Sequence, residues 1–386
     1  MIDLTKEQEY VLSILQRWYK KPKRQYVTLG GYAGTGKTTL ISLLREDLKK
    51  AYPELIVAFC SYTGKAARVL EQKLTEAKTK QKQDSVSTIH SLVYAPITND
   101  NEEITGWKKK DEVKADLIIV DEASMVDSEI WNDLLSYGIP IIAVGDHGQL
   151  PPIKGSFNLM EKPDLRLEQI HRQAEGNPII EISILAREKG EIPAEKFGRG
   201  VEKFLRSSDD AQMRISDLLE RVDEETLLLC GFNATRSRLN AHMRSLKEFF
   251  TPEPKIGDRV ICLRNNHEKN IYNGMLGTIK SIESDGEDGY FARIQMDDGL
   301  DYSGSIYAPQ FGNKEGINFS NERAKIGKRD LFDFGYALTV HKAQGSQAKR
   351  VVLFEERSSH MDDDMWKKWL YTAVTRAEEE LFIVGK

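Results

Sequence analysis

The chain has 386 residues, 40% hydrophobic and 30% charged, with 55 Lys and Arg against 60 Asp and Glu for a formal net charge of −5. That balance argues against a protein that passively coats nucleic acid, for which a basic domain is the usual footprint, but leaves room for an enzyme with a narrow basic channel. The longest apolar runs, LIIV and IPIIAV, fall far short of the ~20 residues of a membrane span, and early acidic residues in MIDLTKEQEYVLSILQRW speak against a secretory leader.

A cytoplasmic location, in a bacterium or a phage-infected cell, is therefore expected. The three cysteines, Cys60, Cys230 and Cys262, lack CxxC spacing, which fits a reduced compartment and neither a disulfide framework nor a zinc site. At roughly 150 residues per domain the length suggests two or three domains.

Taken in chain order, the first part alternates short apolar runs with amphipathic helical patterns. QYVTLGG (25–31) precedes KTTLISLLREDLKKA, ELIVAFCS (54–61) precedes GKAARVLEQKL, ADLIIVDEAS (115–124) precedes VDSEIWNDLL, and IPIIAV (139–144) follows. Unbroken apolar strands of this kind are those of a parallel sheet covered on both faces, with right-handed crossovers. Residues 91–114 break the alternation: turn-formers at Asn99–Asn101 separate two short strands, so the stretch reads as an inserted hairpin. A second α/β set uses TLLLCGFN (226–233), NATRSRLNAHMRSLKEFF, DFGYALTV (333–340), RVVLFEE and ELFIVG. Between them, residues 255–325 carry short strands divided by Gly, Asn and Asp, the pattern of a small antiparallel barrel inserted into the second unit.

The motif GYAGTGKT (31–38) satisfies G-x-x-x-x-G-K-[ST] with a strand before it and a helix after it. Gly34 and Gly36 let backbone N–H groups approach phosphate oxygens, with Thr35 between them, and the helix that begins at Lys37 adds its dipole. Lys37 reaches the β- and γ-phosphates, Thr38 supplies a hydroxyl to Mg²⁺, and Thr39 follows in the same turn. Downstream, LIIVDE places Asp121 and Glu122 at the carboxyl end of a strand, where open α/β sheets hold ligands. Asp121 suits the Mg²⁺-holding role and Glu122 the orientation or deprotonation of water. The stretch VGDHGQLPPI (144–153) runs from a buried strand into a polar turn stopped by two prolines, with Gln149 inside it. Arg172 and Arg376 are candidate cations for a γ-phosphoryl transition state.

Other residues suit a nucleic-acid strand. Thr63, Gly64 and Lys65 stand at a helix start, fitted to a strand phosphate. Trp107 beside Lys108, Lys109 and Lys110 in the hairpin pairs an aromatic with basic neighbours, and Tyr94 is a second candidate wedge.

With TVHKAQGSQ (339–347) and YTAVTRA (371–377) added, the chain resembles a superfamily 1 helicase, and most of all the RecD-like and Dda-like branch, superfamily 1B. The resemblance runs over nearly the whole chain with its motifs in order. It implies an α/β fold of two tandem RecA-like P-loop domains. The first, 1–165, would carry the pin hairpin (91–114); the second, 166–254 and 326–386, would carry an SH3-like β-barrel (255–325). It also implies ATP and Mg²⁺ as cofactors, single-stranded DNA and strand junctions as partners, 5′→3′ movement, and function as a monomer, with replication or repair proteins as further partners. By motif, Gln8 takes an adenine-reading role, Gln149 senses the γ-phosphate, Arg172 and Arg376 are the two arginines presented to ATP, and Gly345 is a backbone contact to the nucleotide. Thr63, Gly64, Lys65, Thr88 and His90 in the first domain, and Thr339, His341 and Lys342 in the second, match DNA-contacting motifs. Gln347 stands where related sequences often carry Glu. An RNA-directed enzyme and a translocase that remodels protein–DNA complexes are the alternative readings.

Overall fold

The structure is a computed structural model that describes residues 4–98, 104–152, 157–169, 176–266, 268–297, 299–313 and 326–386. The chain divides into two compact units, one ending at Ile180 and the other beginning at Glu181.

In the first unit, α1 (Lys6–Lys20) starts at a capping box in which Thr5 and Gln8 satisfy each other's backbone N–H groups. It leads to β1 (Tyr26–Gly31), α2 (Lys37–Ala51), β2 (Val57–Ser61), α3 (Gly64–Glu76), β3 (Ser85–Thr88) and the short α4 (Ile89–Val93). A hairpin of β4 (Tyr94–Thr98) and β5 (Ile104–Lys109) follows, then β6 (Leu117–Asp121), α5 (Ser128–Leu135), β7 (Ile141–Gly145) and β8 (Leu165–Leu167). Six of these strands form one sheet in the order β3-β2-β6-β7-β1-β8, and every pairing in it is parallel.

The sheet is buried on both faces at its centre because β2, β6 and β7 are apolar up to their last residues. Val57 and Phe59 of β2, Leu117 and Ile119 of β6, and Ile142 and Val144 of β7 pack in one cluster with Leu40 and Leu44 of α2. Their neighbours Ala58, Cys60, Ile118, Val120, Ile141 and Ala143 pack in the other, with Ile130 and Trp131 of α5. Side chains alternate across a strand, so a two-sided core demands an unbroken apolar run.

After α6 (Pro178–Lys189), the second unit comprises β9 (Lys196–Gly198), β10 (Val201–Leu205), α7 (Ala211–Glu220), β11 (Thr226–Cys230), α8 (Asn233–Ser245), β12 (Arg259–Cys262), β13 (Leu276–Ser284), β14 (Gly289–Met296) and β15 (Asp301–Tyr307). It continues through β16 (Phe332–Phe334), β17 (Ala337–Thr339), β18 (Ala348–Phe354), α9 (Asp363–Val374) and β19 (Ala377–Gly385). One six-stranded sheet has the order β17-β11-β18-β19-β10-β9, and a five-stranded sheet has the order β15-β14-β13-β12-β16. All pairings of the five-stranded sheet are antiparallel.

The expected strand 333–340 is in fact two. Phe332–Phe334 pairs with β12 in the antiparallel sheet, while Ala337–Thr339 pairs with β11 in the other. Gly335 makes the change of sheet possible: a Cβ there would stand 2.7 Å from the Val260 carbonyl carbon and 2.8 Å from the Ile261 nitrogen. The antiparallel sheet thus takes in residues beyond 325. The three cysteines are unpaired and buried, and among the described residues no helix is long and apolar enough to cross a membrane.

Candidate nucleotide and single-strand sites

The loop between β1 and α2 forms because Gly34 and Gly36 adopt left-handed φ values of 78° and 79°, which only glycine takes without strain. Gly36 is the N-cap of α2 and Lys37 its first residue, so the loop delivers a helix N-terminus at the carboxyl end of β1. Lys37 Nζ donates to the carbonyls of Gly31 at 2.8 Å and Tyr32 at 3.0 Å, and lies 4.0 Å from Asp146 Oδ2. Thr35 is fully buried, with its hydroxyl on the Tyr32 carbonyl at 2.8 Å. Gln8 is held here as well: Nε2 donates to the Thr35 carbonyl at 2.9 Å, and Oε1 accepts from the Thr5 N–H at 3.0 Å. Both ends of that amide are therefore engaged within the protein. Thr38 and Thr39 follow in the first turn of α2, where the Thr38 carbonyl accepts from Ser42.

Asp121 closes β6, and its Oδ1 accepts from the Glu122 N–H at 3.0 Å. Burial raises the Asp121 carboxyl above its ordinary pKa, opposed by that N–H, Lys37 and Lys73. Glu122 sits at φ 53°, ψ 39°, a left-handed backbone that costs a non-glycine residue of order 1–3 kcal/mol and tends to cluster at functional sites.

The turn after β7 is built on Asp146, which is 1% exposed. Its Oδ1 accepts from the Gly148 N–H at 2.9 Å, its carbonyl from the Gln149 N–H at 3.2 Å, and its Oδ2 from Gln149 Nε2 at 3.4 Å. Gln149 is 6% exposed, and its buried Oε1 has no hydrogen-bond partner among the described residues. His147 packs against the Tyr32 ring with centroids 4.2 Å apart, both ring nitrogens are buried with no partner among the described residues, and burial lowers its pKa.

The strand-contacting candidates of the first unit lie beside this site through the sheet register. Ser61, the last residue of β2, stands opposite Thr88 in β3 and opposite Asp121 in β6. Thr63 caps α3 by accepting from the Ala66 N–H at 3.2 Å, with Gly64 and Lys65 opening that helix. Thr88 caps α4 through the Ser91 N–H at 3.1 Å. His90 lies 5.5 Å from Tyr94, ring centroid to ring centroid. In the hairpin Trp107 is 44% exposed, whereas its basic neighbours split. Lys109 Nζ donates to Ser136 Oγ at 2.9 Å and Lys110 Nζ to the Ser91 carbonyl at 2.5 Å. Those two lysines fasten the hairpin's feet, while Lys108 is exposed.

In the second unit, Arg376 is 3% exposed. Its Nε donates to the Thr372 carbonyl at 2.9 Å and its Nη1 to the Ser346 carbonyl at 3.2 Å. The structure thereby brings Arg376 together with the turn at Gly345, whose φ is 74°. Thr339 ends β17, and its hydroxyl accepts from the Lys342 N–H at 3.4 Å. Burial lowers the pKa of both His341 and Lys342. Gln347 lies between this turn and β18. Arg172 lies outside the described residues.

Comparison with known proteins places this geometry in a family. The profile described as AAA domain matches residues 5–202, half of the chain, and the UvrD-like helicase C-terminal domain matches residues 334–384. The ATP-dependent DNA helicase Dda of Enterobacteria phage T4 is 24% identical, over 99% of both chains. The chain belongs to the superfamily 1B helicases, RecD/Dda branch. The ATP-dependent RecD2 DNA helicase of Deinococcus radiodurans is 30% identical over 93% of this chain, which spans 47% of that relative's length. In fold, this superfamily 1B chain matches the Pif1 helicase from Bacteroides in complex with ADP-AlF3 and ssDNA, at a TM-score of 0.57 and 18% identity over 99% of this chain and 92% of that one.

Three residues of this superfamily 1B chain were not assigned from sequence. Asp146 shows itself as the hub of the turn that holds Gln149 and as a neighbour of Lys37 across the phosphate loop. His147 stands in the quoted motif, yet only its packing on Tyr32 links it to the phosphate loop. Tyr62 precedes the TGK motif and reads as an ordinary aromatic until the fold sets it near His90.

Proposed function

We propose that the chain is an ATP-hydrolysing DNA helicase that moves 5′→3′ along single-stranded DNA and separates strands. The observation that carries this reading is the register at the end of β2, where Ser61 is flanked by Asp121 on one side and Thr88 on the other. A change at the acid that meets the nucleotide has only one strand to cross before it reaches residues fitted to grip DNA. Packed sheets transmit displacements of this kind because interiors are close-packed.

Lys37 binds the β- and γ-phosphates, leaving the Gly31 and Tyr32 carbonyls for a stronger, charge-assisted partner. Thr38 and Asp121 would hold Mg²⁺: a hydroxyl and a carboxylate are the hard oxygen donors, few in number, that this ion takes beside substrate phosphates. When bound, the ion neutralises charge on the phosphates. Glu122 orients the attacking water, Gln149 senses the γ-phosphate, and Arg172 and Arg376 stabilise the transferred phosphoryl group. Gln8 and the backbone of Gly345 serve nucleotide binding. Thr63, Gly64, Lys65, Thr88, His90, Thr339, His341 and Lys342 grip the strand, with the hairpin and Trp107 at the strand junction. The hairpin is read as a pin and the antiparallel sheet as an SH3-like module, each inserted into a RecA-like domain.

ATP turnover measured with and without single-stranded DNA tests the reading. Turnover should rise with DNA and fall roughly a hundred-fold or more in Lys37→Ala, the scale of losing a principal electrostatic contact to the transition state. Unchanged turnover in that variant would discredit the phosphate loop. Stimulation by RNA alone would redirect the enzyme to RNA.

A further inference from the structure

The chain leaves β2 at Ser61, turns through Tyr62, and enters α3 at its cap Thr63. The Tyr62 ring meets His90 edge-on, with centroids 6.4 Å apart and planes at 78°. His90 in turn lies 5.5 Å from Tyr94 at 40°. Three rings from two segments, the turn before α3 and the junction of α4 with the hairpin, are thus linked by two successive contacts. All three side chains are partly exposed. Tyr62 and Tyr94 pack part of their surface against the apolar cluster beneath, and the Tyr94 hydroxyl is tied to Asp133.

Rings seated this way have fixed orientations and remaining surface open to solvent. Burial and the nearby Asp127 raise the Tyr62 pKa, so its phenol stays neutral. The adjoining residues have a different character. Lys65 opens α3 and Arg68 lies one turn further on, and the helix N-terminus adds positive potential. Neutral aromatic surface beside cationic phosphate contacts is the combination that holds single strands without reading sequence.

We propose that Tyr62, flanked by His90 and Tyr94, is a base-stacking platform for single-stranded DNA, taking the bases whose phosphates lie over the start of α3. This rests on the single-strand motor reading and names a residue that the motif assignments pass over. Any sequence preference would be weak, since every base offers a π-face.

Fluorescence anisotropy with labelled oligo-dT tests it, using intact strands and strands with one abasic site walked along them. In the unaltered protein, one position should weaken binding about ten-fold, the scale of a single base–aromatic stack. Tyr62→Leu, which keeps apolar packing, should weaken binding of the intact strand by a similar factor, and the abasic site should then cost nothing more. Tyr62→Phe should bind as the unaltered protein does. A flat abasic profile in the unaltered protein overturns the platform even if Tyr62→Leu fails to fold. So does a full abasic penalty that persists in a folded Tyr62→Leu. If the unaltered protein binds no single strand, the motor reading falls and the platform with it; normal binding with a flat profile removes the platform alone.

Discussion

At the scale of single residues, Gln149 is the most informative. Its backbone and Nε2 are held by Asp146, yet its buried Oε1 has no partner among the described residues. An unsatisfied buried polar group costs about 1–3 kcal/mol, and the 3.4 Å contact of Nε2 is at the long end for a hydrogen bond. Such an amide gains from any ligand that takes its N–H and offers a donor to its oxygen. Gln149→Ala is therefore predicted to bind ATP near normally while losing at least ten-fold in strand separation per ATP hydrolysed. Coupled ATPase and unwinding assays check this, and an unchanged ratio would make the residue structural. Sequence alone shows Gln149 as a polar residue stranded before two prolines, and its interest was legible from that mismatch. The roles of Asp146 and His147 were not, because each depends on a contact with another segment: Lys37 in one case and Tyr32 in the other.

Among elements, α2 is locked to the strands beside it by a buried ion pair. Arg45 Nε and Nη2 donate to the two oxygens of Asp84 at 2.8 and 2.9 Å, and Nη2 also donates to the Leu55 carbonyl. Asp84 accepts further from the Val57 and Gln81 N–H groups. Neither charge has access to water, since both side chains are 0% exposed. Removing one partner leaves the other uncompensated, so Arg45→Ala or Asp84→Ala should destabilise the first unit by about 3–5 kcal/mol. The double change Arg45→Ala, Asp84→Ala should cost markedly less than the two single losses combined, as denaturant titration will show; simple additivity would mean the pair is not coupled. Of the strands around it, β2 was legible because both its faces are buried and its apolar run is unbroken; β3 was not, because SVST carries a single apolar residue. The segment 332–340 was not. It stays apolar while the chain changes sheets at Gly335, and periodicity carries no mark of which sheet a strand joins.

For the whole molecule, the proposed motor uses one sheet end for two ligands. The nucleotide loop, the acid strand and two helix caps all emerge at the carboxyl ends of β1, β6, β2 and β3, the side on which open α/β sheets bind. Strand separation with a polarity is the behaviour that an ATPase or a passive binding protein lacks, and the most direct measurement is unwinding of forked duplexes carrying a single tail. The protein should open a duplex with only a 5′ tail in the presence of ATP and Mg²⁺, leave the 3′-tailed duplex closed, and do neither as Lys37→Ala. Opening of the 3′-tailed duplex alone, or closed forks despite DNA-stimulated ATP turnover, would contradict the account.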